Sequence, residues 1–84
     1  MATWTENTTY PFLPGMIWIQ TLDDKYTCYV RRLAGTQGNL RMIDAEDNII
    51  INETILLPTS SSIGTVDLLG DLASWKETCI DKIA

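Results

Sequence analysis

This sequence predicts a mostly β (α+β) fold, a small bent antiparallel sheet of four to five strands with one C-terminal helix, and three observations predict it. Two runs rich in Ile, Trp, Tyr, Thr and Val flank the pair Asp23-Asp24, as strands flank a polar turn. A second such pair flanks residues 45–48 and ends in 49–57, the most β-prone stretch of the chain. Beyond Gly64 the apolar period changes from two to three or four residues, the change from strand to helix.

Residues 1–15 read as an extended N-terminal arm. Thr and Asn dominate it, Trp4, Tyr10 and Phe12 punctuate it, and Pro11 and Pro14 forbid regular helix. Pro14-Gly15 is a turn signal that launches the first strand of a domain spanning 16–84. Residues 16–22 and 25–33 pair about Asp23-Asp24. The expected register sets Thr21, Ile19 and Ile17 opposite Tyr26, Cys28 and Val30 on a dry face. Trp18, Gln20 and Met16 then lie opposite Tyr29, Thr27 and Arg31 on the other face.

Residues 34–39 carry two glycines and read as a flexible loop. Residues 40–44 and 49–57 form the second hairpin. Leu40 and Met42 share a dry face with Ile49, Ile51, Ile55 and Leu57, while Arg41, Asn52 and Thr54 face away. After the serine-rich loop at 58–64, Leu68, Leu72, Trp75, Cys79 and Ile83 form one helical stripe, which predicts a helix over 66–83. The alternative is a short fifth strand at 65–69, a break at Gly70 and a helix capped by Asp71. Short strands, two tight polar turns and one glycine loop over 14–70 resemble, in their spacing, a partly open SH3-like barrel, with no diagnostic motif.

With 84 residues there is room for one domain, and a core of this size supplies only a few kcal/mol of net stability. Docking on a partner or self-association would add to it. At 45% apolar and 20% charged, the chain is not of disordered composition. Its net charge of −5 opposes non-specific nucleic-acid binding. It has no histidine, and so lacks the commonest general base and the commonest metal ligand. The first residues show no basic region leading into an apolar one, and no apolar run is long enough to span a bilayer. A cytoplasmic location, or a place in an assembled particle, is therefore expected. There Cys28 and Cys79, 51 positions apart, read as buried free thiols, with a disulfide between them as the alternative.

Few residues suggest chemistry. Asp23-Asp24 and the group Asp44, Glu46 and Asp47 hold enough oxygens to raise the question of a hard cation. They lack the glycine and distal glutamate of a calcium loop, and turn chemistry explains them. No nucleophile elbow, phosphate loop or Cys–His pair is present, so no catalytic residue, cofactor or metal is assigned and an enzyme is not expected. Asn7-Thr8-Thr9 and Asn52-Glu53-Thr54 match the N-glycosylation pattern, which has no meaning in a cytoplasmic chain.

Arg31, Arg32 and Arg41 are half of the positive charge and lie near the glycine loop. Trp18, Tyr29 and Arg31 together have the composition of an interface anchor. Trp4, Tyr10 and Phe12 of the arm either fold back on the sheet or strap onto a neighbour. The expectation is a non-catalytic protein–protein interaction module or a small subunit of a larger assembly. By type alone, phage virion and mobile-element accessory proteins include such chains. Its interaction residues would be Trp18, Tyr29, Arg31, Arg41, Trp4, Tyr10 and Phe12. The alternative is a barrel binding a small ligand or single-stranded nucleic acid, which requires Trp18, Tyr29 and the three arginines to converge on one groove.

Overall fold

The computed structural model describes residues 2–7, 9–11, 13–57 and 71–84, with Asp71 as backbone only. Its elements are β1 (Trp4–Glu6), β2 (Met16–Leu22), β3 (Tyr26–Ala34), β4 (Gln37–Ile43), β5 (Ile49–Leu56) and α1 (Asp71–Ile83). The strands form one antiparallel sheet in chain order, β1-β2-β3-β4-β5. This is an open meander, and among the described residues no pairing of β1 with β5 closes it into the barrel that the strand spacing resembles. The fifth strand comes from the arm: Trp4, Thr5 and Glu6 pair with Leu22, Thr21 and Gln20. Phe12, the helix start expected at 66 and the alternative strand at 65–69 lie outside the described residues.

The first hairpin differs from its expected register by one residue. Trp18, Gln20 and Leu22 face Val30, Cys28 and Tyr26, while Ile19 and Thr21 face Tyr29 and Thr27. The connection is three residues long, with Asp23 and Asp24 both left-handed (φ 53° and 55°) and Lys25 N–H donating to the Leu22 carbonyl at 3.1 Å. Burial explains the slip. This register places Leu22, Cys28 and Val30, all fully buried, on one face with Trp18, whereas the other would bury the Thr21 hydroxyl and expose the Leu22 side chain. Trp18 therefore does not share a face with Tyr29. A bulge between Met16 and Trp18 lets the adjacent Ile17 and Trp18 both be buried and restores the expected pairing of Met16 with Arg31.

The second hairpin keeps the expected faces for Leu40, Met42, Ile51, Ile55 and Leu57. Ile49 is the exception. A bulge between Met42 and Ile43 pairs Ile43 with Ile49 and turns Ile49 out, where it is 57% exposed. The expected loop at 34–39 is largely strand. Ala34 pairs with Gln37, so only Gly35 and Thr36 form the connection, and a bulge between Arg32 and Ala34 absorbs the mismatch.

The core lies between this sheet and α1. Trp75 and Cys79 insert among Trp18, Leu22, Cys28, Val30, Leu40, Met42, Ile51 and Leu57, with Leu72, Ile80 and Ile83 packed at the margins. These helical residues are the expected stripe. All three tryptophans join one chain: Trp4 lies 5.6 Å from Trp18, Trp18 lies 6.0 Å from Trp75, and the Lys76 ammonium sits 5.4 Å from the Trp4 ring centre.

Candidate functional site: the face opposite the helix

Strand register defines what the helix-free side of the sheet carries. Tyr29 pairs with Arg41 and Arg31 with Asn39. Across the next seam Arg41 pairs with Asn52 and Asn39 with Thr54. Side chains alternate along a strand, so Thr27, Tyr29 and Arg31 of β3 share a face with Asn39, Arg41 and Ile43 of β4 and with Asn52, Thr54 and Leu56 of β5. Side-chain bonds corroborate this: Asn39 Nδ2 and Arg41 Nη2 both donate to Asn52 Oδ1, at 2.9 and 3.4 Å.

The arm crosses this face on a hinge made by Asn7. Asn7 Nδ2 donates to the Thr21 and Thr27 hydroxyls, at 2.9 and 3.2 Å. Asn7 Oδ1 accepts from the Thr9 and Tyr10 backbone N–H groups at 3.1 and 2.9 Å, an Asx turn that reverses the chain. The result lays Tyr10 on Tyr29, rings stacked at 5.3 Å and inclined by 27°. The Tyr29 phenol beside it, then partial burial, raise the Tyr10 pKa, while Arg41 acts in the lowering direction. The Asn7 amide of the first glycosylation-like triplet is thus engaged by the sheet.

Between arm, sheet and the β4–β5 turn lies a cleft of about 580 Å³. Thr9, Tyr10 and Pro11 of the arm form one wall, Thr27, Tyr29 and Arg41 the floor, and Ile43, Asp44, Asp47 and Ile49 the far wall. Asp44 is occupied by its own turn. Its Oδ1 accepts from the Glu46 and Asn48 N–H groups, both at 2.9 Å, and its Oδ2 from Asn48 Nδ2 at 3.0 Å. These bonds, the Asn48 amide first, hold its carboxyl below the ordinary carboxylate range. Asp23 likewise accepts from the Thr3 N–H at 2.8 Å and pins the start of the arm. Both Asp-rich turns are structural, and among the described residues no group of three His, Cys, Asp or Glu side chains could hold a metal.

The cleft and its surroundings hold an unspent donor and apolar surface. Arg41 Nε is buried with no hydrogen-bond acceptor among the described residues, and so is Arg31 Nε. Ile49, 57% exposed, stands in the cleft wall, and Leu56, 82% exposed, stands on the same face further along β5. Leu33, 49% exposed, lies at the bulge near the β3–β4 connection, where Leu56 pairs with Gln37.

Of the residues singled out from sequence, the structure brings Tyr29, Arg31, Arg41 and Tyr10 to this one face. Trp18 is in the core, 6% exposed, and Trp4 packs on it from the sheet edge. Arg32 pairs with Gly38 rather than facing the tyrosines, and its guanidinium donates to the Gly35 carbonyl. Asn7, Ile43 and Ile49 escaped the sequence reading. The Asn-x-Thr spacing that reads as a glycosylation triplet is equally an Asx-turn signal and could have located the hinge. No described helix is long and apolar enough to cross a membrane. No family model, curated protein or solved structure matches this chain.

Proposed function

We propose that this chain is a non-catalytic protein-binding module whose contact surface is the helix-free face of its sheet. One observation carries the reading. Ile49 and Leu56 stand exposed on the face that also holds the Tyr10–Tyr29 stack and two half-buried arginines with unmatched Nε donors. Aromatic and arginine anchors beside exposed aliphatic side chains are the composition of interface hot spots. The partner would offer an apolar side chain to the cleft and a carbonyl or carboxylate to Arg41. A role as a small subunit of a larger assembly is the natural form of this reading, since a core of this size gains from docking.

The test compares the wild-type chain with the double variant Arg41→Glu/Leu56→Asp and with Glu77→Lys, a control on the helix. Each is used as bait in the native host and weighed by native mass spectrometry. Retention of a defined partner, or self-association, lost in the double variant and kept in the control supports the module. A wild-type chain that is monomeric and retains nothing the double variant does not also retain overturns it.

A second reading, a small-ligand or single-stranded nucleic-acid site, is favoured by the cleft volume, which lies in the range of small-molecule sites. The required convergence is incomplete, however. Trp18 is buried in the core, Tyr10 and Tyr29 already stack on one another, and Asp44 and Asp47 stand on the rim facing any phosphate. Titration with an oligothymidylate, read by tyrosine fluorescence, separates the two readings. Saturable quenching that Tyr29→Ala abolishes would move the assignment to the second.

A further inference from the structure

We propose that Cys28 and Cys79 form an intramolecular disulfide under oxidising conditions, a covalent clamp that fastens α1 to the centre of the sheet. The two are the only cysteines in the chain. They come from distant parts of it, Cys28 from the middle of β3 and Cys79 from the inward stripe of α1, yet both are fully buried in one core cluster. Their thiols are free and hydrogen-bond one another. Bonding them takes loss of the thiol hydrogens and approach of the two sulfurs to bonding distance between the middle of β3 and the inward stripe of α1.

Each thiol is the foremost influence on the other's titration. The hydrogen bond to Cys79, then burial, raises the Cys28 pKa far above the ordinary thiol range. The same hydrogen bond lowers the Cys79 pKa, against its burial.

With oxidised glutathione as oxidant, the thiolate of one cysteine attacks one glutathione sulfur and expels a glutathione thiolate. The other cysteine, losing its proton, then displaces the second glutathione from the mixed disulfide. Two protein thiols and one oxidised glutathione become one protein disulfide and two reduced glutathiones. Both thiols are shielded, so the reaction waits on local opening of α1 and is slow compared with that of an exposed thiol. In a reducing compartment the pair stays as two thiols; where the potential is higher, it closes. The clamp lies on the opposite side of the sheet from the proposed binding face and does not depend on it.

The test incubates the full chain in a series of reduced-to-oxidised glutathione buffers and follows intact mass, cross-link mapping by non-reducing peptide analysis, and thermal unfolding. The expected result is a monomer lighter by about two mass units, with Cys28 linked to Cys79. Its Tm should exceed that of the reduced wild-type chain by about 10 °C or more, because the cross-link shortens the unfolded chain's freedom over a long loop. The wild-type chain is its own comparison in the two redox states, so the result does not depend on a cysteine variant folding; Cys79→Ala, if folded, should show no gain. Thiols that stay reduced through an oxidising buffer heated past the unfolding midpoint, oxidation that yields only glutathione adducts or intermolecular dimers, or a closed disulfide that leaves Tm unchanged or lower would each overturn the proposal.

Discussion

Asn7 decides where the arm goes, and through it the shape of the binding face. Its amide spends both ends: Nδ2 on two threonine hydroxyls of the sheet and Oδ1 on two backbone N–H groups of the arm. Asn7→Ala is expected to release Tyr10 from Tyr29, which can be read from the titration of Tyr10. The Tyr10 pKa is raised in the folded chain, so the fold prefers its neutral phenol. That preference contributes stability in full below the unfolded value of about 10, and the contribution is lost as pH rises through the folded value. Phenolate absorbance should therefore show Tyr10 titrating late in the wild-type chain. In Asn7→Ala and in Tyr29→Phe the same group should titrate earlier than in the wild-type chain. An unchanged titration in both variants would show that Tyr10 does not lie on Tyr29. At this scale the two cysteines, expected as buried free thiols, are both buried and free. Trp18 was not, because its direction follows from a register that a single residue more or less in the turn inverts.

Elements were legible where period and turn chemistry agreed. The helical stripe through Leu72, Trp75, Cys79 and Ile83, and the faces of the second hairpin, follow from spacing. What escaped was the bulges. Three of them re-aim side chains between paired strands, and one turns Ile49 from the expected core face to the cleft. A bulge adds one residue without altering composition, so alternation alone does not reveal it. The strand in the arm escaped for a different reason. Three residues are too few to show a period, and β1 is held by pairing with β2 and by the Thr3–Asp23 bonds, with N–H to carbonyl and N–H to carboxylate both at 2.8 Å.

Two predictions belong to elements. A Cβ on Gly15, where φ is +80°, would meet the Arg32 carbonyl oxygen at 2.7 Å, while one on Gly35, where φ is +54°, would meet nothing within 4 Å. Gly15→Ala should therefore cost more than Gly35→Ala in urea unfolding, about 2–4 kcal/mol against about 1 kcal/mol, since the first adds a backbone clash to the left-handed strain that both share. Equal losses would mean that the β2 start does not approach β3 as closely as described. Trp75→Ala should cost about 3–5 kcal/mol, comparable to the whole stability of a domain of this size. Far-ultraviolet circular dichroism at room temperature should then show a largely unfolded chain.

At the scale of the molecule the sheet is two-sided. One side is a packed core with a helix over it; the other is a mixed surface crossed by a short arm. This asymmetry leads to a stability prediction. Leu56 is 82% exposed, so Leu56→Asp should change the unfolding free energy by no more than about 0.5 kcal/mol while abolishing partner retention. A large destabilisation would show that Leu56 is covered within the chain. The general class of the fold was legible because each strand declares its wet and dry sides. The binding reading was only partly so, since a docking face is written in which residues share a side, and that depends on the bulges.

The chain of indoles that runs from the edge strand through the sheet to the helix has an optical consequence. Trp4, Trp18 and Trp75 sit within 5.6 and 6.0 Å of their neighbours, close enough for their excited states to couple. Near-ultraviolet dichroism of this protein should carry a strong tryptophan couplet that belongs to no single ring. Peeling away the edge strand, or lifting the helix, would collapse the same signal, so one spectrum reports whether both ends of the fold remain seated.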